Sequence, residues 1–101
     1  MAEELEIIRE NHETHGAYRA TVDGATQMAE MTWKARGNAR VVDHTFTPPA
    51  ARGRGLAMQL VEAIVADARE EGFTIEPQCP YVAAAFRSHP EWADVRAEIE
   101  S

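Results

Sequence analysis

The sequence predicts an α/β domain of four antiparallel strands, a helix, a fifth strand parallel to the fourth, and a C-terminal helix. Three observations favour this fold. Turn residues separate strand-like segments in the first half, a loop with two glycines opens a long helix, and a further strand and a shorter helix follow. The helix that crosses from the fourth strand to the fifth makes those two strands parallel. We expect a single domain over residues 1–101, with its core over about residues 5–94.

Four strands account for the first half of the chain. Apolar and polar residues alternate over residues 17–22, 26–33 and 40–47, and a shorter mixed run covers residues 5–10. Asp23-Gly24 and Gly37-Asn38 are hairpin turn signals. The strands are therefore expected to form a meander.

The second half begins where Pro48-Pro49 ends the sheet segment, because proline cannot donate to a strand ladder. The next helix has an apolar stripe of Leu56, Ala57, Leu60, Val61, Ile64, Val65 and Ala68. Its charged residues Glu62, Asp67, Arg69 and Glu70 are expected mostly on the other side. Gly72 ends this helix, and residues 73–78 form the fifth strand. Pro80 starts a helix that Pro90 ends, and the last residues are expected to fray.

Composition excludes several classes of protein. Hydrophobic residues make up 45% and charged residues 27% of the chain, as in globular domains. The net charge of −7 disfavours nucleic-acid binding, and no apolar run is long enough to span a membrane. The acidic N-terminus lacks the basic and apolar regions expected of a secretory signal, and the single cysteine cannot form an internal disulfide. We expect a monomeric cytoplasmic protein.

Charge is distributed unevenly along the chain. Residues 34–54 hold one acid and half of the ten basic residues, a local net charge of +4, with the basic residues at Lys34, Arg36, Arg40, Arg52 and Arg54. Such a segment is expected to attract a compact polyanion, whereas a chance run of solvated side chains is the alternative.

The loop around Gly53 and Gly55 suits an anion. Glycines let the backbone approach a phosphate closely, and the first N–H groups of a helix have no internal partner. The loop has neither the Lys of a P-loop nor the third glycine of a Rossmann fingerprint, where Met58 stands. A plain turn is the alternative.

The string Arg52-Gly53-Arg54-Gly55-Leu56-Ala57 resembles R-x-x-G-x-[GA], the acetyl-CoA-binding signature of the GNAT superfamily of N-acetyltransferases. It stands where that family has it, after the fourth strand. The resemblance to single-domain GNAT-like proteins of about 100 residues also rests on Asp43-His44-Thr45-Phe46, Pro48-Pro49, Cys79-Pro80-Tyr81-Val82 and His89-Pro90.

The resemblance implies acetyl-CoA as cofactor. Backbone N–H groups around Arg54, Gly55, Leu56 and Ala57, after Gly53, would hold its pyrophosphate, and Arg52 and Arg54 would compensate charge. The pantetheine arm would pair with main chain near Phe46 and Thr47, where the fourth and fifth strands splay. Typical members have two helices between the first two strands, and here only about six residues separate them, so the acceptor does not carry over.

Two residues are candidates for catalysis. His44 lies on the strand leading to the loop, and histidine suits a general base near neutral pH. Alternation predicts that it shares a face with Val42 and Phe46, and a half-buried structural histidine is the alternative. Cys79 precedes a helix N-terminus, which favours thiolate, and the family pattern places it near the cofactor thiol. It could accept the acetyl group, line the site for direct transfer, or be a buried apolar residue.

We expect no metal site, because His12-Glu13-Thr14-His15 lacks the H-E-x-x-H spacing and strand geometry would put the two rings on opposite faces. Trp33 and Trp92 are expected to pack in the core or at its edge, although Trp92 could cover the cofactor. The leading hypothesis is an acetyl-CoA-dependent N-acetyltransferase acting on an amine of a protein or small molecule. The alternative is an acyl-CoA-binding or regulatory module with little transferase activity.

Overall fold

The structure, a computed structural model, describes residues 6–22, 26–49, 53 and 55–97. One sheet holds five strands in the order β1-β2-β3-β4-β5, which are β1 Ile7–Asn11, β2 His15–Ala20, β3 Ala29–Arg36, β4 Ala39–Phe46 and β5 Thr74–Pro77. The helices are α1 Leu56–Glu71, α2 Pro80–Ser88 and a 3₁₀ helix over Pro90–Val95. Neighbours from β1 to β4 pair antiparallel, and β4 pairs parallel with β5, which confirms the predicted fold. The predicted Asp23-Gly24 turn lies outside the described residues.

The helices cover one face of the sheet. Residues paired across strands share a face, and Tyr18, Met31 and Val42 lie in one buried cluster with Leu60 and Ile64 of α1. Every sheet residue of this cluster lies on the same face. Burial of these apolar side chains, each worth roughly 1.5–3 kcal/mol, holds α1 against the sheet.

The opposite side of the sheet is polar, and we call it the open face. Two rows of paired residues define it, Ile8–Arg19–Glu30–Phe46 and Glu10–Ala17–Thr32–His44. Arg19 forms ion pairs with both Glu10 and Glu30. This face is thus adapted to water rather than to a covering helix.

The position of Asp67 in α1 corrects the expectation that it faces away from the core. Asp67 is buried and accepts hydrogen bonds from the Tyr18 hydroxyl at 2.6 Å and from Arg9 Nε at 2.7 Å. Burial, followed by the Asp67 carboxylate, raises the pKa of Tyr18, so the phenol stays protonated and donates. A carboxylate is tolerated here because both partners satisfy it.

Part of the C-terminal segment that was expected to fray is packed on the fold, over residues 90–97, and residues 98–101 lie outside the described residues. Trp92 and Val95 of the 3₁₀ helix are buried, and the Trp92 ring packs edge-on to Phe86 at 5.2 Å. The Ala97 N–H donates to the Ile75 carbonyl at 2.7 Å, which attaches the chain beyond the 3₁₀ helix to β5. Apolar burial and one strand contact therefore outweigh the fraying tendency. Within the described residues, no helix has both the length and the apolar character needed to cross a membrane.

Candidate functional site

A cleft opens where β4 and β5 separate. Pairing of the two strands ends at Val42 and Pro77, and the N–H groups of Gln78 and Cys79 both donate to the Val42 carbonyl, at 3.0 and 2.9 Å. The chain then turns into α2, whose first residue is Pro80. Residues 43–46 of β4 consequently have no pairing partner on the described β5 strand.

The cleft has a volume of about 470 Å³ and brings together the end of β4 and the start of two helices. It is lined by Thr45, Phe46, Thr47, Gly53, Gly55, Leu56, Ala57 and Tyr81. Six of these eight residues are the ones to which the sequence resemblance assigns cofactor binding. The two other predicted cofactor residues, Arg52 and Arg54, lie outside the described residues.

The loop before α1 offers an open backbone surface to an anion. Gly53 and Gly55 have φ of 82° and 72°, in the left-handed region that side chains disfavour. Gly55 is the N-cap of α1, no side chain caps it, and the first turn of α1 contains no acid. Chain neighbours aside, a Cβ on either glycine would meet no atom of the described residues within 4 Å. The unpaired N–H groups and the helix dipole thus favour an anion at this end of the cleft.

Cys79 lies beside the cleft as the N-cap of α2. Its Sγ is 3.4 Å from the Thr45 hydroxyl, and the residue is only 8% exposed. Burial is the largest single effect and raises the thiol pKa, but hydrogen bonds from Thr45 and from the backbone of Val82 and Tyr81 together outweigh it. The net result is a lowered pKa, which increases the thiolate fraction near neutral pH.

Tyr81 is a cleft residue that the sequence analysis did not assign to the site. It is 40% exposed, and partial burial together with the nearby Glu62 raises the pKa of its phenol. The hydroxyl therefore stays protonated at neutral pH and can donate a proton. Its place two residues after Cys79, in the first turn of a helix, is the sequence signal that could have identified it.

His44 is displaced from its predicted face by a β-bulge in β4. Val42 pairs with Trp33 on the helix-covered face, whereas His44 pairs with Thr32, so Asp43 is the extra residue. The Thr32 hydroxyl donates to the Asp43 carboxylate at 2.8 Å and fixes the bulge. His44 does share a face with Phe46, but the prediction that it shares one with Val42 is wrong, and the ring is exposed rather than half-buried.

A second pocket, of about 370 Å³, lies on the open face next to the cleft. It is lined by Arg19, Gln27, Met28, Glu30, His44 and Phe46. Phe46 lines both spaces, so the pocket and the cleft both lie at the end of β4. The sequence analysis did not find this pocket, because its residues come together only through cross-strand pairing.

The basic residues of residues 34–49, the described part of the basic segment apart from Gly53, lie away from the cleft. Lys34, Arg36 and Arg40 lie at the β3–β4 hairpin, and β4 runs about 23 Å from there to the cleft. Lys34 is 3.5 Å from Asp43, Arg36 pairs with Glu76, and Arg40 is 3.9 Å from Glu71. The Arg40 guanidinium also lies between the rings of Trp33 and Phe73, at 4.1 and 3.9 Å from their centres. These three cations therefore each lie near an acid at the hairpin end of the sheet.

The rings of His12 and His15, at the turn between β1 and β2, contact each other. The expectation that the two rings lie on opposite faces is therefore wrong. The His12 and His15 rings stack at 4.7 Å, because the turn brings the His12 N–H to the His15 carbonyl at 2.8 Å. Among the described residues, no group of three or more His, Cys, Asp and Glu side chains could hold a metal ion. The His89 ring stacks on Trp92 at 4.1 Å, and neither lines the cleft.

Comparison with known proteins gives one family and a common fold. The family model described as GCN5-related N-acetyl-transferase matches residues 17–95. The solution structure of a GCN5-like protein from Staphylococcus aureus superposes with a TM-score of 0.65 at 22% identity, over 92% of this chain and 90% of that one. A ribosomal-protein-alanine N-acetyltransferase from Brucella melitensis biovar Abortus 2308 gives a TM-score of 0.55 at 19% identity, over 89% of this chain and 67% of that one.

Proposed function

The chain belongs to the GCN5-related N-acetyltransferase family, and from that premise we propose that it binds acetyl-CoA in the β4–β5 cleft and transfers the acetyl group to an amine. The observation that carries the proposal is the cleft itself. Strand separation after Val42 exposes the end of β4 directly beside the glycine loop and the N-terminus of α1.

The residues present suit the cofactor. Among the described residues, no side chain stands over Gly53 or Gly55, and this backbone would hold the pyrophosphate, with N–H groups of Leu56 and Ala57 behind it. The end of β4, at Phe46 and Thr47, would lie along the pantetheine arm. When bound, acetyl-CoA supplies an acetyl group as a reactive thioester.

Three side chains at the end of β4 and the start of α2 support the transfer chemistry. His44 on the open face takes a proton from the amine. The protonated phenol of Tyr81 donates a proton to the departing sulfur. Cys79, with its lowered pKa, offers either a thiolate that carries the acetyl group between two steps or a lining group during direct transfer.

Binding is tested by thermal unfolding with acetyl-CoA, which raises the melting temperature by mass action if only the folded state binds it. Gly55→Glu should abolish this shift, because it puts bulk and negative charge into the anion cradle. Gly37→Glu is the matched control, since Gly37 also has a positive φ and open space around it but lies in the β3–β4 turn. It should lose stability and keep the shift. Loss of the shift in both variants, or no shift in the wild type, contradicts the proposal.

Transfer is tested with the same preparations. Incubation with acetyl-CoA alone should add one acetyl group to Cys79 if the route has two steps, and none if transfer is direct. Tyr81→Phe should keep the thermal shift and slow transfer. A wild-type protein that binds acetyl-CoA but consumes no thioester with any amine would instead be the acyl-CoA-binding module.

A further inference from the structure

We propose that a pocket at the β3–β4 end of the sheet, which we call the hairpin pocket, binds a primary carboxamide, with the indole N–H of Trp33 donating to its carbonyl oxygen. Among the described residues, this pocket shares no lining residue with the cleft or with the pocket of the open face. The inference therefore does not depend on acetyl transfer, and it gives the chain a second ligand site.

The hairpin pocket forms where two turns and the end of α1 meet. Its lining comes from the turn between β1 and β2, from the β3–β4 hairpin and from the residue that follows the Gly72 cap of α1. It has a volume of about 210 Å³ and is lined by His12, Glu13, Trp33, Ala35, Gly37, Asn38, Ala39, Arg40 and Phe73. Pockets for drug-sized ligands have about 300–1,000 Å³, so this one suits a single functional group on a short stem.

The Trp33 indole supplies a hydrogen-bond donor that the protein leaves unused. Trp33 is only 3% exposed, and its Nε1 is buried with no hydrogen-bond partner among the described residues. An indole nitrogen can only donate, and a buried tryptophan ordinarily has a partner for it, because an unpaired buried donor has lost its hydrogen bonds to water without replacement. A ligand with an acceptor atom in the pocket would provide that partner.

Arg40 adds further donors to the same lining. Because its guanidinium lies between the rings of Trp33 and Phe73, at 4.1 and 3.9 Å from their centres, its orientation is fixed by stacking. The Glu71 carboxylate is 3.9 Å from Arg40, which is beyond hydrogen-bond distance. The N–H groups of Arg40 are thus available to a ligand. A carbonyl oxygen has two lone pairs and can accept from Trp33 and Arg40 together.

The charges of the lining favour a neutral ligand over an ion. With histidine counted as neutral, the lining carries one positive charge at Arg40 and one negative charge at Glu13, a net charge of zero. A carboxylate ligand would be repelled by Glu13, and an ammonium ligand would leave the donors of Trp33 and Arg40 unpaired. A primary carboxamide satisfies all three side chains, since its oxygen accepts from Trp33 and Arg40 while its NH₂ group donates to Glu13.

The test is a titration of the ¹⁵N-labelled full chain with propionamide, with propionate and with propylammonium, followed through the two tryptophan indole signals. Trp92 is the internal control, because it lies in the 3₁₀ helix and not in the lining. We expect the Trp33 indole proton to move downfield and saturate with propionamide, and propionamide to bind about tenfold more tightly than either ion, which leaves a buried group unpaired. An unmoved Trp33 signal, or equal affinity for the three compounds, overturns the proposal.

Two variants locate the ligand. Glu13 is exposed in a turn, so Glu13→Ala should fold normally, bind propionamide severalfold more weakly and bind propionate more tightly than the wild type does. Glu70→Ala, on the exposed side of α1, is the matched control and should behave as the wild type. Trp33→Phe keeps an aromatic ring beside Arg40 but removes the donor, and should lose binding while circular dichroism shows a folded chain. Unchanged affinities in Glu13→Ala overturn the proposal even if Trp33→Phe does not fold.

Two further measurements identify the occupant. A cross-peak between a long-lived water and the Trp33 indole proton that persists at saturating propionamide would show that water is the partner, and it would contradict the proposal. A peptide with one glutamine is compared with the same peptide carrying methionine at that place. Tighter binding of the glutamine peptide than of propionamide identifies a protein side chain as the source of the carboxamide, and weaker binding identifies a free amide. Equal binding of the two peptides would mean that the carboxamide is not recognised, so the proposal would be wrong.

Discussion

The Cys79 thiol experiences opposing influences that set its reactivity. Burial raises its pKa, while the Thr45 hydroxyl and the first backbone groups of α2 lower it and prevail. Thr45 reaches Cys79 because it lies on the face of β4 opposite to His44, one residue along the strand. The end of β4 thus has Thr45, in contact with the Cys79 thiol, on one face and the His44 imidazole on the other.

Alkylation of Cys79 by iodoacetamide should therefore be faster at pH 7 than that of an unfolded cysteine. The rate rises with pH as thiolate forms, and the lowered pKa makes the rise level off at a lower pH. Thr45→Val removes one of the hydrogen bonds and should slow the reaction severalfold at pH 7. Thr74→Val, at the far end of β5, is the control and should leave the rate unchanged. Equal rates in wild type and Thr45→Val would show that the hydroxyl has no influence on the thiol.

At the scale of elements, β4 determines how the cleft and the open-face pocket are arranged. Its bulge at Asp43 changes which residues face α1, so that Val42 joins the core while His44 faces the open side. Its unpaired end beyond Val42 forms one wall of the cleft. In a regular strand of the same length, His44 would share the face of Val42, toward α1.

The 3₁₀ helix over Pro90–Val95 should contribute strongly to stability. Trp92→Ala removes a buried ring that packs on Phe86 and His89, and it should lower the free energy of unfolding by about 3–5 kcal/mol. Urea denaturation followed by circular dichroism measures the change. Ala93→Ser, in the same helix but exposed, should stay within about 0.5 kcal/mol of wild type. A loss below about 1 kcal/mol in Trp92→Ala would mean that this segment does not pack in solution.

For the whole molecule, local patterns were sufficient to predict the order, type and pairing of all five strands and both helices. Turn residues and alternation are properties of neighbouring residues, and the glycine loop is recognised by two closely spaced glycines before a helical pattern. The sequence did not predict the bulge at Asp43, because one extra residue leaves no mark on the pattern. It also gave no sign that Asp67 meets Arg9 and Tyr18, or that Glu30 meets Phe46, since these contacts join distant parts of the chain.

The positions of charged residues in the fold could not be predicted from the sequence for the same reason. Residues 34–54 are basic as a string, but the fold carries Lys34, Arg36 and Arg40 to the hairpin end, where acids from β4, β5 and α1 lie near them. The proposed anion site instead uses backbone N–H groups at the start of α1, which follow two glycines in the left-handed region. An anion could thus be attracted either to the basic residues of the β3–β4 hairpin or to the glycine loop before α1. Of these two places, the glycine loop is the one that adjoins the cleft.

An acetyl-CoA titration of ¹⁵N-labelled protein tests the central claim most directly, because it reports on both ends at once. Acetyl-CoA in the cleft should shift the amides of residues 45–47, 53 and 55–57, together with those of Cys79 and Tyr81, and leave the amides of residues 34–41 in place. The backbone cradle and the pairing of β4 main chain with the cofactor both predict this pattern. Shifts confined to residues 34–41 and 73–76, or no shifts at millimolar acetyl-CoA, would contradict the account.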